Sequence, residues 1–367
     1  MLIRQFNTLD ILYDSFIIQF SMRLKLYPEN FIEFIALLSG KLPTPLLETY
    51  YGGAYSKSLI AGIRLGIFDS IKDKTKTAEE IANDINCDLA GLTTLLNALT
   101  GFNYLYKKVE KYSVNRKVKN WLLKDTHNSM KDAILFTGNV FDIMGNIEEI
   151  VKSGNVNDFH NQDKPDSFWN NYITSLANFA HFTAPEITKK AMTMKNPLKL
   201  LDVGGGHGIY SMSFCKRYNN LMAKIIDLPK AASIGEKIII KEGFSERITY
   251  IKGDMRELNW GKGYDIILLF NVIHTITEYE SVKLIEKSYI SLNDKGTLII
   301  LDSEHTGGSK KLSATSGFNE LMFFIITGKR TYSERNIRKW LTNAGFSKVK
   351  KKNLFTMPMT LFLNAIK

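Results

Sequence analysis

Residues 200–209 read Leu200-Leu201-Asp202-Val203-Gly204-Gly205-Gly206-His207-Gly208-Ile209, an apolar run, one acid, and then four glycines in five positions. The apolar run predicts a strand buried on both faces. The glycines predict a turn whose backbone adopts angles forbidden to other residues and lies close against a ligand. Spacing narrows the ligand. A dinucleotide loop requires Gly-x-Gly-x-x-Gly, whereas here Gly208 falls one residue early and Ile209 follows it.

Working outward, residues from 198 to the end alternate strand and helix patterns, the mark of a doubly wound α/β sheet covered on both faces. Strands are expected at 198–203, 223–227, 248–252, 265–271 and 296–302, with a closing pair near 348–353 and 360–366. Ligands of such sheets bind at the carboxyl ends of the strands. Asp227 ends the second strand, 23 residues after Gly204, where a carboxylate can accept both ribose hydroxyls of an adenosine, with Leu228 beside it. Gly253-Asp254-Met255 ends the third, placing an acid to meet an adenine amine and a methionine against its face. A glycine loop and two acids on three successive strand ends make an adenosine-compatible site.

Upstream, Leu59, Ile63 and Ile67 recur at helical spacing up to Gly66. Thr77-Ala78-Glu79-Glu80 has the arrangement of a capping box, and a second helix over 88–99 carries Leu92, Leu95, Leu96 and Leu99 on one face. Two extended pieces follow at 104–108 and 111–114, so the order is that of a winged-helix unit. Its second helix, the one that would enter a DNA groove, contains no lysine or arginine, which disfavours a DNA-binding regulator. Residues 129–152 read as one helix capped at Gly154, and Phe168, Trp169, Tyr172, Leu176 and Phe179 mark another. The divisions expected are an arm at 1–50, a winged-helix-like dimerisation and lid domain at 51–190, and the cofactor domain at 191–367.

Net charge is +11 and the pI is near 9.3, but the lysines are scattered apart from Lys348–Lys352, as on a solvated surface. No nucleic-acid partner is expected. No uninterrupted apolar run reaches the roughly 18 residues of a membrane span, and no secretory leader is visible. Two cysteines, Cys87 and Cys215, supply neither a disulfide framework nor a metal site, consistent with a cytoplasmic protein that holds no metal. Phe168, Trp169, Tyr172, Phe318, Met322 and Phe323 are expected to line an apolar pocket that accepts a planar molecule.

The sequence resembles the plant and bacterial small-molecule O-methyltransferase family, which includes caffeate, hydroxyindole and phenazine methyltransferases. The resemblance rests on the 202–208 loop, Asp227-Leu228-Pro229, Gly253-Asp254-Met255, Asn271-Val272-Ile273-His274 and a closing helix over 331–346. It implies the class I methyltransferase sheet, S-adenosylmethionine as cofactor, and a homodimer built on the winged-helix part. It also implies cofactor binding by Asp202, Gly204, Gly205, Gly206, Gly208, Asp227, Leu228, Gly253, Asp254, Met255 and Asn271, with a small-molecule methyl acceptor bound between domains. His274 stands where the family has its general base and Asp302 where it has an orienting acid. Two departures stand out. Thr275-Ile276 replaces the usual Asp-Trp, and Gly328-Lys329-Arg330-Thr331 lacks the usual glutamate. They leave sulfur, nitrogen and carbon acceptors open beside oxygen, and leave room for a relative that retains the cofactor without methylating.

Overall fold

The structure, a computed structural model, describes residues 26, 28–123, 129–156, 158–160, 163–305 and 312–367. Most of the expected 1–50 arm therefore lies outside the described residues. Seven strands form the main sheet: β4 (Lys199–Val203), β5 (Met222–Asp227), β6 (Ile248–Lys252), β7 (Tyr264–Phe270), β8 (Leu292–Ser303), β9 (Lys348–Lys351) and β10 (Thr360–Ile366). Their order is β6-β5-β4-β7-β8-β10-β9, with β6, β5, β4, β7 and β8 paired in parallel and β10 antiparallel to both β8 and β9. Side chains alternate across the pleat. Leu200, Ile266, Leu268 and Phe270 enter the core on one face, and Leu201, Ile267 and Leu269 the core on the other. That double burial is why the strands read as unbroken apolar runs. Successive strands are added to one side of β4 and then, from β7, to the other, so the carboxyl ends of these two parallel strands open a crevice.

The amino-terminal part contains α1 (Phe31–Leu38), α2 (Thr44–Arg64), α3 (Ile67–Ile71), α4 (Ala78–Ile85) and α5 (Leu89–Gly101). A three-stranded sheet of β1 (Lys76–Thr77), β2 (Leu105–Lys108) and β3 (Lys111–Val114) completes it, in the order β1-β3-β2. Strand β1 was not anticipated, because two residues carry no periodicity. Thr77 and Glu80 close the capping box of α4. Ile67 belongs to α3 rather than to the helix before it, because Gly66 turns left-handed between them. After α6 (Arg116–Leu122), the single helix expected over 129–152 is two, α7 (Lys131–Met144) and α8 (Ile147–Ser153), interrupted at Gly145-Asn146. Helix α9 (Asp166–Lys190) then leads to the sheet, and α10 (Ile209–Arg217), α11 (Pro229–Lys241) and α12 (Glu278–Ser291) alternate with its strands. Helix α13 (Ala314–Thr327) precedes α14 (Glu334–Asn343), which is shorter than the 331–346 expected because Ser333 caps it and Gly345 ends the turn beyond it. Among the described residues no helix is long and apolar enough to cross a membrane.

Candidate active site

A cavity of about 740 Å³ opens at the carboxyl ends of β4, β5, β6 and β7. Its wall brings together Asp202, Gly204, Gly205, Gly206, Asp227, Leu228, Gly253, Asp254, Met255, Asn271 and His274, from strand ends separated by up to 70 residues. Gly208 is not on that wall. It caps α10 from below, where a Cβ would meet Tyr250 Oη and Ile239, so its contribution is to the packing of the loop.

The glycine loop is held by its main chain. Gly206 N–H donates to Asp227 Oδ2 (2.7 Å) and Leu228 N–H to Asp227 Oδ1 (2.7 Å). Tyr250 Oη donates to the Gly206 carbonyl (2.8 Å), a contact reachable only because Gly235 has no side chain; a Cβ there would stand 2.1 Å from both oxygens. At Gly204 the φ of +71° and a Val272 methyl 2.8 Å from any Cβ exclude other residues. Helix α9 roofs the loop through Trp169 and Ile173, which pack with Ala231 of α11.

Burial sets the charges at this end. Asp202 is pushed up to about 7 by burial; a hydrogen bond from Ser211 (2.7 Å) opposes the shift and Asp227 adds to it. Burial also raises Asp227, against its two backbone amides. His207 is pushed down to about 3 by burial and stays neutral, its Nδ1 accepting from Ile209 N–H (3.0 Å). Asp254 is already engaged: Arg256 forks onto both its oxygens and also reaches Glu280 (2.6 Å), so Asp254 sits below the usual carboxylate range. Glu280 in turn closes the capping box with Thr277 at the start of α12.

The other end is built from side chains. His274 lies in a one-turn 3₁₀ helix directly after β7 and is 7 % exposed. Its Nδ1 is 2.7 Å from Asp302 Oδ1, while Asp302 Oδ2 accepts from Ile273 N–H (2.9 Å) and Oδ1 from Ser303 N–H (2.7 Å). With Nδ1 turned to Asp302, Nε2 is the ring nitrogen of this cavity-lining histidine left for a ligand. Phe323 stacks on the imidazole with ring centroids 3.7 Å apart.

Of the six expected pocket residues, Trp169, Tyr172 and Phe323 line the cavity and Phe168, Phe318 and Met322 do not. On α13 the facing residues are Thr315, Asn319, Phe323 and Ile326, a stripe that leaves Phe318 and Met322 on a different side, Phe318 being 55 % exposed. Phe168 stands behind the wall with Phe136 and Phe159. The segment at 158–160, read only as polar loop, also reaches the cavity. Phe159 N–H donates to the Ile326 carbonyl (2.8 Å), and His160 Nε2 lies 3.2 Å from Tyr172 Oη. Of the contributors missed, Glu280 had a signal, the Thr277-to-Glu280 spacing, and Lys329 had one in the departure from the family pattern at 328–331; Tyr250 and Gly235 had none.

Two buried polar atoms on this wall lack partners within the protein, Asp202 Oδ1 and Trp169 Nε1. An acceptor awaiting a cation and a donor awaiting an acceptor suit a cofactor that carries an ammonium group, hydroxyls and ring nitrogens.

Residues 139–347, more than half of the chain, match the model of the O-methyltransferase domain, and residues 47–125 that of the O-methyltransferase dimerisation domain. A 3-hydroxy-5-methyl-1-naphthoate 3-O-methyltransferase of Streptomyces sahachiroi is 22% identical over 323 residues, covering 84% of this chain and 90% of the relative. An L-tyrosine C(3)-methyltransferase of Streptomyces lavendulae is 27% identical over 189 residues, 51% of this chain and 50% of its own. Human N-acetylserotonin methyltransferase has the same fold, with a TM-score of 0.78 at 16% identity, over 93% of this chain and 99% of that one. The chain belongs to the O-methyltransferase family and is an S-adenosylmethionine-dependent methyltransferase of small molecules.

Proposed function

We propose that the chain methylates a hydroxyl oxygen of a small, planar, largely apolar metabolite, with His274 as general base. One observation carries this reading: the glycine loop with its acids and His274, backed by Asp302, share a single cavity. Asp202, Asp227 and the 204–206 main chain would hold S-adenosylmethionine, which supplies a methyl group on a sulfonium. Nε2 of His274 takes the hydroxyl proton as the oxygen becomes nucleophilic. Asp302 keeps the ring oriented and stabilises its protonated form, and the Phe323 stack excludes water from one face. Methyl transfer then needs mainly proximity and alignment, which the apolar wall of α13 provides. Calorimetry tests the reading. S-adenosylmethionine and its demethylated product bind in the micromolar range, and Asp227→Ala weakens both at least tenfold, about 1.4 kcal/mol. Tight NAD binding with no affinity for the sulfonium compound overturns it.

In this reading residues 51–190 form the dimerisation and lid part and 191–367 the cofactor domain, in a homodimer working in the cytoplasm. The match of 47–125 to the family's dimerisation domain supports the dimer, as do the exposed apolar side chains Phe31, Ile32 and Leu38 of α1 and Tyr50 of α2. Sedimentation of the full chain at tens of micromolar should give a dimer, and deleting residues 1–46 should weaken it. A monomer at that concentration rejects the assignment.

A further inference from the structure

Lys329 stands just past the end of α13, where its backbone N–H donates to Thr327 Oγ1 (3.1 Å), and it lines the same cavity as His274, Phe323 and Thr327. Among the described residues no carboxylate oxygen comes within 4 Å of its ammonium group. The acids of the wall are engaged elsewhere. Asp254 and Glu280 are held by Arg256, and Asp202 and Asp227 belong to the glycine loop. Asp158 feels the lysine's charge, but its carboxylate accepts from His160 N–H (2.9 Å) and faces that imidazole. The neighbours of Lys329 on the α13 stripe, Asn319, Phe323, Ile326 and Thr327, are neutral. The wall beside His274 and Phe323 therefore carries one half-buried lysine that, among the described residues, forms no ion pair within 4 Å, Asp158 acting on it only at longer range. An ammonium group that forms no ion pair with the protein is available to an anionic group of a ligand in the cavity.

We infer that Lys329 binds a carboxylate on the methyl acceptor, so that the enzyme selects acidic hydroxy-arenes over neutral ones. This rests on the methyl-transfer reading and adds to it the charge class of the acceptor. The test uses 3-hydroxy-2-naphthoate, its carboxamide and 2-naphthol as probes, titrated calorimetrically into the full-length protein with and without S-adenosylhomocysteine. The carboxylate should bind at least tenfold more tightly than either neutral probe. Lys329→Met should bring the three within about twofold of one another, and Lys329→Arg should keep most of the preference. Affinity for S-adenosylhomocysteine should be the same in all three proteins. A carboxylate that binds no better than its amide, no binding of any probe, or a preference that survives Lys329→Met overturns the inference. So does a tenfold loss of S-adenosylhomocysteine affinity in Lys329→Met, which would make the lysine a partner of the cofactor's own carboxylate. Failure of S-adenosylhomocysteine to bind the unaltered protein instead breaks the methyl-transfer reading and is seen separately from the charge preference.

Discussion

The two ends of the cavity are built by different means. At the glycine loop, Asp227 is fixed by backbone amides, Gly206 and Leu228 both donating to it, Asp202 accepts from the Ser211 hydroxyl, and Tyr250 braces the loop through the Gly206 carbonyl. At the reacting end the reacting group is a side chain set by side chains, with Asp302, itself held by the Ile273 and Ser303 amides, against one edge of His274 and Phe323 across its face. A main-chain cradle accepts the same cofactor whatever residues surround it. An end made of side chains changes its chemistry with single substitutions, so acceptor choice and catalysis are the properties it exposes to mutation.

The largest expected effect lies at the side-chain end. His274→Ala should lower turnover roughly 10²- to 10⁴-fold while leaving cofactor affinity nearly unchanged. Asp302→Asn should lose less, since it removes orientation but keeps the imidazole. A His274→Ala enzyme that retains more than about a tenth of its turnover would mean that the acceptor arrives already ionised and needs only positioning.

An intermediate effect is expected at the main-chain end, as a function of pH. Burial raises the Asp202 carboxyl to about 7, so in the free protein it is increasingly protonated below that pH. The cofactor carries net positive charge and favours the ionised form. Its affinity should therefore be flat above pH 7 and fall by up to about tenfold per unit below it. Asp202→Asn should bind more weakly with that dependence flattened. Calorimetry across pH 5.5 to 8 checks the sign, and an affinity that rises on acidification contradicts the placement of the cation beside Asp202.

The smallest effect tests the brace. Tyr250→Phe removes one hydrogen bond from beneath the loop and should cost about 1 kcal/mol in denaturant unfolding, with a loss of cofactor affinity of a few-fold at most. A larger loss of turnover than of cofactor affinity would show that the two ends are more tightly coupled than their separate construction implies.

The main-chain end was legible because its chemistry is local. Asp202 and its glycines occupy seven consecutive residues, and Asp227 and Gly253-Asp254-Met255 sit at strand ends that the apolar runs announce. Where reading failed, a rotation or a contact was at stake. Spacing identified α13 as helical but did not say which stripe faces the cavity, and so Phe318 and Met322 were placed on the wall beside Phe323. Asp254 was read as available to a ligand, yet Arg256, two residues on, forks onto it and is itself tied to Glu280 at a helix start 24 residues away.

By itself, then, the sequence determined the order of strands and helices, the ligand-binding edge of the sheet and the residues of the glycine loop. Each of these follows from period-two burial, chain punctuation and backbone freedom, which act between near neighbours. The Asp302 partner of His274 was already expected from the family resemblance. Only the tertiary structure decided that Phe323 covers the His274 ring and that Lys329 reaches the cavity with no ion-pair partner among the described residues. Those relations depend on how each helix is turned as it packs, and that rotation is set by the whole core at once.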